Sequence, residues 1–468
     1  MMPVVLWTDA LIFLLTAVVI VFVIYARSKP HLRTPWYRVF KGRIAAASVV
    51  VLLAFVVVGL LDSLHFRLQL ENNSTNEATH YSVDVLSVLD IILGPVRTQV
   101  EKTYSAPFAT HLFAKETIEL QDGTTVRDYP RLQYGGLHLP ESGKGRGTDI
   151  LQRSLLALVE ALLAGALILY LTAVLLARHS GRSSRRMLQL ILAGETTLPW
   201  RTIIVTASFL LLFIFLAVNL ASAFHVFGTD KVGQDVFYQT LKSIRTGLLI
   251  GTLTTLIMLP FAIFLGIVAG YARGWIDDVV QYIYTTLNSI PGVLLIAASI
   301  LMLQVYIANH PEHFETTVER ADIRLLFLCI ILGITSWTGL CRLLRGETLK
   351  LREAEYIQAA ASFGVAHGKI ISRHILPNVM HVVLITVVLD FSGLVLAEAV
   401  LSYVGVGVDP TMNSWGNMIN SARLEMAREP VVWWSLLSAF LFMFVLVLAA
   451  NLFSDAVRDA FDPRTHER

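Results

Sequence analysis

The chain has 468 residues, of which 55% are hydrophobic and only 15% are charged, with a mean hydropathy of +0.63. Soluble domains carry charge on about a quarter of their residues, so this composition excludes a soluble globular protein and indicates an integral membrane protein. The formal net charge of +2 is too small to suggest a nucleic-acid partner. Cys329 and Cys341 lie in or beside one apolar run, which excludes a disulfide framework and predicts two small core residues.

Nine apolar runs are long enough to cross a bilayer as helices. A span takes about 20 apolar residues, because every backbone amide in hydrocarbon must be satisfied within the helix. The predicted spans are 4–26, 44–61, 150–177, 202–223, 246–270, 279–307, 323–341, 379–404 and 431–453. The first has no basic residue before it and no evident cleavage site after it, so we interpret it as a helix rather than a signal peptide. The predicted fold is an all-α polytopic membrane protein.

Basic residues in the loops predict the orientation of the spans, since cytoplasmic loops are enriched in lysine and arginine. The loops after the first and third spans carry Arg27, Lys29, Arg33, Arg38, Lys41 and Arg43, and Arg178, Arg182, Arg185 and Arg186. Both loops are expected in the cytoplasm, which puts the N-terminus outside, the C-terminus inside, and residues 342–378 inside. The loop "YARGWIDD" is also expected inside but does not follow this charge rule, because it has one arginine against two aspartates.

The predicted domains are two N-terminal spans over 1–61, an extracytoplasmic segment over 62–149, a third span with a basic loop over 150–201, and six spans over 202–468. Within the extracytoplasmic segment a helix-like run near 82–104 precedes Asp122-Gly123, a strong hairpin signal between alternating residues. This segment is therefore expected to be a small α+β insertion.

The stretch "YIQAAASFGVAHGKIISRHILPN", 356–378, carries charge and glycine between two apolar runs. Residues recurring at helical spacing predict a short amphipathic helix that ends at Gly364, and a second helix with an isoleucine face and a basic face that ends at Pro377. The apolar positions of the first helix are Tyr356, Ile357, Ala360 and Phe363; the second has Ile370, Ile371 and Ile375 against Lys369 and Arg373. We call this helix-turn-helix segment the bracket.

No phosphate-binding loop accompanies the bracket. The nearest candidate, "GVAHGKI" at 364–370, is one residue short and has isoleucine in place of the hydroxyl that would bind magnesium. Energy for transport is therefore expected to come from a partner protein.

The bracket resembles the cytoplasmic "EAA" loop of ABC importer permeases, Glu-Ala-Ala-x3-Gly-x9-Ile-x-Leu-Pro, with two departures: Gln358 replaces the glutamate and His374 the isoleucine. The resemblance implies an ATPase-coupling loop within 342–378. Its residues are Glu355, Tyr356, Gln358, Ala359, Ala360, Gly364, His374, Leu376 and Pro377.

Two more stretches resemble the C-type permeases of dipeptide and oligopeptide importers. "FGTDKVGQDVFYQTLKSIRTGL", 227–248, is similar to the stretch after their first core helix, and "EAVLSYVGVGVDPTMNSWGNMI", 398–419, to a later one. The extracytoplasmic or pore residues implied are Gly228, Thr229, Asp230, Gly233, Asp235, Arg245, Glu398, Gly405, Gly407, Trp415 and Gly416. The resemblance covers about 202–468 and leaves the first 200 residues unexplained.

In that family two homologous permeases form the pore, two cytoplasmic ATPases bind ATP and magnesium, and an external binding protein delivers peptide. The resemblance thus implies a type I ABC importer permease core in a prokaryotic inner membrane, with membrane lipid and no nucleic acid around it. It implies no catalytic residue, metal or cofactor in this chain. No histidine cluster or nucleophile–base pair in the sequence indicates otherwise.

Acidic residues within the predicted spans include Asp390, Glu398 and Glu160. Asp390 and Glu398 are eight residues apart, about 80° of helical rotation, and so share one broad face; we expect Glu398 to be a structural hydrogen-bond acceptor and Glu160 to pair with a neighbour. An ion-coupled secondary transporter using Asp390 and Glu398 is one alternative, although internal repeats and interrupted helices are not evident. A membrane-anchored sensor that binds solute through 62–149 is another, but it leaves the bracket unexplained.

The segment 62–149 precedes the six core spans, so it is expected to contact the external binding protein or the partner permease rather than to line the pore. A stabilising decoration is the equally weighted alternative.

Overall fold

A computed structural model describes residues 2–28, 30–69, 81–119, 125–140, 144–313 and 316–461. The elements of the first half are β1 Met2–Val4, α1 Trp7–Ser28, α2 Pro30–Lys41, α3 Arg43–Asp62, β2 His65–Gln69, β3 Tyr81–Ser87, α4 Val88–Ile92, α5 Gly94–Thr98, β4 Glu116–Glu119, β5 Thr125–Asp128, α6 Arg146–Ser180, α7 Ser184–Ala193 and α8 Trp200–Ala221. Those of the second half are α9 Val236–Ala272, α10 Trp275–Ser289, α11 Gly292–Asn309, α12 Thr317–Arg352, α13 Glu355–Ser362, α14 His367–Ile370, α15 Leu376–Tyr403, α16 Trp415–Glu425 and α17 Trp434–Phe461.

Nine helical segments in the described part of the chain are long and apolar enough to cross a membrane, which confirms the all-α polytopic fold and the predicted number of spans. Six of them follow residue 199. The predicted span 279–307 is wrong at its start: α10 ends at Ser289, and α11, from Gly292, is the spanning helix. Proline forces the preceding residue out of the α-helical region, and Ile290 before Pro291 is extended (φ −87°, ψ 128°).

The chain divides into two compact units. The first comprises 1–4, 37–246 and 413–449, and the second comprises 5–36, 247–412 and 450–468. Each unit has its own packed interior and is described separately below.

In the first unit, α6 packs along α8, and α3 also packs against α8. Glu160 of α6 accepts a hydrogen bond from the amide of Asn219 at 2.8 Å, which confirms the predicted pairing. The first unit also contains an antiparallel sheet of order β1-β2-β3, in which the N-terminal strand β1 pairs with β2, the strand after α3. The predicted helix-like run at 82–104 is wrong: Tyr81–Ser87 alternates and pairs with β2, and only the short helices α4 and α5 follow.

The predicted hairpin is confirmed by β4 and β5, which pair antiparallel from Glu116–Asp128 to Glu119–Thr125. Its turn, including Asp122-Gly123, lies outside the described residues. Strands and short helices together agree with the expected α+β insertion.

In the second unit, α1 packs against α12 and α11 packs against α12. The hydroxyl and backbone N–H of Thr8 both donate to the carboxylate of Asp322, a buried pair. Cys329 and Cys341 are free and fully buried, as predicted. Small residues let α9 and α12 approach closely: a Cβ on Gly266 would lie 2.8 Å from the carbonyl oxygen of Cys341, and one on Gly270 2.7 Å from that of Arg345.

Candidate functional site

The bracket follows α12 directly, and its turn has the predicted conformation. Helix α13 runs from Glu355 to Ser362, and Gly364 after it has φ +76°, a left-handed conformation that favours glycine. A Cβ on Gly364 would meet nothing within 4 Å, so the backbone angle rather than crowding within the chain requires glycine there.

The second helix of the bracket does not stop at Pro377, contrary to the prediction. It begins as α14, widens into a π-helical turn over Ile371–Ile375, and continues without interruption as the spanning helix α15. Pro377 lies in the first turn of α15, where the missing N–H is tolerated because the π turn has already broken the α-helical hydrogen-bond pattern. The bracket is therefore continuous with a membrane span.

One face of the bracket is buried against its own unit. Ile357, Ile370 and Ile375 are at most 2% exposed and belong to one apolar cluster with residues of α9, α10, α12 and α15. The isoleucine face of the second helix is thus confirmed, and Lys369 and Arg373 are exposed as expected.

The apolar face predicted for α13 is only partly correct. Ile357 is buried and Ala360 is half-buried, but Tyr356 is 47% exposed and Phe363 is 87% exposed. Phe363 is therefore not part of the buried face of α13.

Polar contacts fix the two bracket helices to each other and to the ends of their neighbours. The hydroxyl of Tyr356 accepts from the amide of Asn378 at 3.2 Å, and that amide also donates to the carbonyl of His374 at 2.7 Å. The amide of Gln358 lies 3.3 Å from the carbonyl oxygen of Glu353 and 3.4 Å from its carboxylate. A glutamate at 358 would place a second carboxylate there, so glutamine suits the neighbourhood of Glu353.

An ion pair joins α12 to α10 above the bracket. Arg345 donates to both carboxylate oxygens of Asp277, at 2.5 and 2.7 Å, a bidentate geometry that fixes orientation. Hydrogen bonding from Arg345 holds the pKa of Asp277 below its usual value, against an opposing effect of burial. Asp277 therefore stays ionised and the pair stays intact at physiological pH.

A cleft of about 690 Å³ lies beside the bracket. Its apolar wall includes Val268, Ile357 and Ile371, and its polar wall includes Arg352 and His367. The cleft therefore has one apolar wall and one polar wall, and it lies next to α13.

Residues 227–246 of the second motif, 227–248, lie in the first unit and are covered by the segment 62–149. Gly228 and Gly233 both have positive φ, +68° and +78°. A Cβ on Gly228 would lie 2.3 Å from the carbonyl oxygen of Ser105, and one on Gly233 1.7 Å from that of Glu101. Both glycines are therefore required by the close approach of another backbone as well as by φ.

Thr229, the next motif residue, is fully buried in this contact. Its hydroxyl donates to the carbonyl oxygen of Thr103 at 2.8 Å and accepts from the N–H of Ser105 at 2.6 Å. The indole N–H of Trp434 donates to its carbonyl oxygen at 3.0 Å. Segments more than 120 residues apart in sequence meet at this threonine.

A buried histidine between two carboxylates continues the contact. His225 lies 2.7 Å from Asp235 and 3.3 Å from Glu101, measured from its Nδ1 and Nε2. Burial would lower the pKa of His225, but hydrogen bonds to the two carboxylates raise it to about 9. Burial likewise opposes ionisation of Glu101, yet His225 and the N–H groups of residues 133–135 hold its pKa below the usual value.

A second charged cluster joins the segment to α9. Lys242 donates to Asp62 at 2.6 Å and to Asp90 at 3.1 Å, and the hydroxyl of Tyr238 donates to Asp90 at 2.7 Å. Burial opposes ionisation of Asp90, but Lys242, Ser87 and Tyr238 together keep its pKa below the usual value.

The remaining motif residues of the first unit are also structural. Asp230 accepts from the N–H groups of Val232 and Gln234, and Asp235 accepts from that of Phe237 at the start of α9. The side chain of Arg245 is buried and its Nε lies 3.3 Å from the hydroxyl of Ser63.

The third stretch begins in the second unit and ends in the first. Glu398 is buried and accepts from the hydroxyl of Ser402 at 2.8 Å, a contact that agrees with the expected structural role, which stays a prediction. Gly405 has φ +86° with open space around it, whereas a Cβ on Gly407 would lie 2.0 Å from the Ser402 hydroxyl.

The later part of this stretch belongs to the first unit. The indole of Trp415 is buried and donates to the carbonyl oxygen of Thr240 at 3.2 Å, and Gly416 is buried beside it. None of these contacts requires a ligand.

Sequence reasoning missed the residues that cover 227–248. Asp62, Asp90 and Glu101 are buried charged residues of the segment 62–149, and nothing in the sequence indicated them. His225, two residues before the motif, is the one partner whose position could have drawn attention to it. In the described ranges no group of three or more histidine, cysteine or acidic residues could hold a metal ion; absence of a metal in the functional protein stays a prediction.

Comparisons with known proteins agree with this arrangement. Residues 262–467 match the family model described as binding-protein-dependent transport system inner membrane component. An oligopeptide transport system permease protein of Haemophilus influenzae is 32% identical over 52% of this chain and 71% of its own. A glutathione transport system permease protein of Pectobacterium atrosepticum is 32% identical (52% and 74% covered), and a dipeptide transport system permease protein of Bacillus subtilis is 29% identical (52% and 70%). This chain therefore belongs to the binding-protein-dependent transport inner-membrane family and is a multi-pass permease subunit of an ABC transport system.

Proposed function

We propose that this permease forms half of the translocation pore of an ATP-driven importer of di- and oligopeptides. The observation that carries the proposal is the bracket: its buried face is anchored to the membrane helices of its unit, while Tyr356, Gln358 and Phe363 are exposed. Peptide as the solute rests on the peptide and glutathione permeases that this chain resembles.

The proposed partners are a second homologous permease, two cytoplasmic ATPases that bind ATP and magnesium, and an extracytoplasmic binding protein. The exposed side of the bracket is the surface that an ATPase covers. Because the second bracket helix continues into α15, a displacement of the bracket would tilt a membrane span as a rigid body. This chain supplies no catalytic residue and hydrolyses no ATP in the proposal.

The proposed location is a prokaryotic inner membrane with the N-terminus outside and the C-terminus in the cytoplasm. The segment 62–149 then lies outside, where it contacts the binding protein or the partner permease. Its exposed apolar side chains, among them Val83 at 79% and Ile92 at 58%, are the candidate contact points. Changing both to aspartate should raise the half-saturation concentration of binding protein without lowering basal ATP hydrolysis; unchanged uptake would exclude docking there.

The test is reconstitution of this chain with its second permease and ATPases in proteoliposomes, with ATP inside and binding protein outside. Uptake of a labelled dipeptide should require both ATP and the binding protein. Uptake driven by a proton or sodium gradient without ATP would instead support the secondary-transporter alternative, in which Asp390 and Glu398 carry the ion.

A further inference from the structure

Helix α15 carries two carboxylates in very different surroundings. Glu398 is 2% exposed and accepts from Ser402, but Asp390 is only half-buried. Within the part of the chain that the structure describes, no hydrogen bond or ion pair reaches Asp390 from any side chain or backbone group. One acidic residue of the helix is therefore satisfied by its own chain and the other is not.

Asp390 lies at the middle of the span. It is the fifteenth of the 28 residues from Leu376 to Tyr403, about 20 Å along the axis from the first. A charged side chain at such depth is costly in lipid, so acidic residues there face a water-filled path or a charged partner. Asp390 is thus about 20 Å from either end of α15.

The side of α15 that carries Asp390 is not covered by the described chain at Gly393. Thr386, one turn earlier, and Gly393, about one turn later, lie on the same side at helical spacing. A Cβ on Gly393 would meet nothing within 4 Å, so open space lies next to Asp390. In contrast, the ring of Phe391 packs against Gly251 of α9, which directs the neighbouring face of α15 into its own unit.

Given the transport function proposed above, we propose that Asp390 lines the translocation path and favours solutes that carry a cationic side chain. A half-exposed carboxylate attracts an ammonium or guanidinium group as it passes and repels an acidic one. The binding protein selects the solute first, and Asp390 would then set the relative rates of basic, neutral and acidic peptides through the membrane.

The experiment compares uptake of lysyl-alanine, alanyl-alanine and glutamyl-alanine by the complete importer with Asp390→Asn and Asp390→Lys. Because each comparison uses the same binding protein, its own preference cancels in the variant-to-wild-type ratio. We expect Asp390→Asn to lower lysyl-alanine uptake relative to alanyl-alanine about fivefold, and Asp390→Lys to lower it further while raising relative glutamyl-alanine uptake. Asp390→Glu should restore the wild-type ratios.

Glu398→Gln is the matched control, because it removes the charge of a carboxylate that the chain itself satisfies; it should change uptake of all three dipeptides by one common factor. Co-purification of the second permease and ATPases with each Asp390 variant reports on assembly. Loss of assembly, or an equal change for all three dipeptides, would overturn the proposal and identify Asp390 as a contact between the permeases.

If Asp390→Asn is poorly expressed, Thr386→Lys tests the same face: selective loss of lysyl-alanine uptake supports the proposal and unchanged ratios contradict it. Alanyl-alanine uptake by wild type separates this outcome from failure of the transport function itself.

Discussion

The bracket and the stretch 227–248 both resemble family motifs, but the first is largely exposed and the second is largely buried. In the bracket, the positions resembling the family loop are exposed or half-buried, among them Tyr356, Gln358 and Gly364. In 227–248, the corresponding glycines, Thr229 and Asp235 are buried under the chain's own segment 62–149. A motif that its own chain satisfies indicates a structural requirement, whereas one left exposed indicates a partner.

The largest difference in protein yield is expected between alanine substitutions at two glycines that both have positive φ. Gly233→Ala would press a Cβ against the backbone of Glu101, which cannot move aside as a side chain can, so the segment 62–149 should not pack and the yield of monodisperse protein should collapse. Gly405→Ala is the matched control: it has φ +86° but open space, so only the backbone cost of about 1–2 kcal/mol applies. Size-exclusion profiles and protease resistance in detergent compare them. Equal yields would show that the structure relieves the crowding at Gly233 and that packing of the segment 62–149 there does not stabilise the fold.

At the bracket, the expected loss is of transport rather than of folding. Gly364→Val opposes φ +76° and adds a β-branched side chain on an exposed surface, so ATP-dependent uptake should fall more than tenfold while expression persists. Gly368→Val adds the same bulk at another open position without a positive φ. Normal uptake and normal ATPase stimulation in Gly364→Val would exclude the bracket as the coupling element.

A change of pH is expected to have a smaller effect, on the thermal stability of the protein. Because the folded-state pKa of His225 is about 9 rather than 6.5, its protonated form stabilises the contact with Glu101 and Asp235 fully below pH 6.5, and this contribution is lost as pH rises through about 9. The melting temperature should therefore fall between pH 6.5 and 9.5 by about 5 °C more in wild type than in His225→Asn. His138→Asn, at an exposed histidine of the same segment, should melt like wild type. Parallel curves for wild type and His225→Asn would show that His225 does not titrate as a buried cation.

The sequence was sufficient for features that depend on local composition and failed where distant segments meet. Long apolar runs predicted all nine spans, and the left-handed turn at Gly364 followed from glycine chemistry. Two proline positions were read wrongly in opposite directions: Pro291 divides a predicted span, whereas Pro377 does not stop a helix, because a π turn precedes it.

The contacts of the segment 62–149 with the second motif could not be predicted from the sequence. Motif similarity identified Gly233 and Thr229, but the groups that require them, the backbone at Glu101 and Ser105, lie more than 120 residues earlier. The same limitation explains why 82–104 was expected to be helical, since Tyr81–Ser87 is held as a strand by its pairing with β2.

The claim that a partner covers the exposed bracket is tested most directly by thiol labelling at one exposed position in each motif. Phe363→Cys places a thiol on the exposed bracket, Val232→Cys places one on the exposed loop of 227–248, and the natural Cys329 and Cys341 are fully buried and give little background. We expect both introduced thiols to react in the purified permease. Binding of the ATPase subunits should then protect Phe363→Cys but not Val232→Cys. Undiminished labelling of Phe363→Cys in the assembled complex would contradict it.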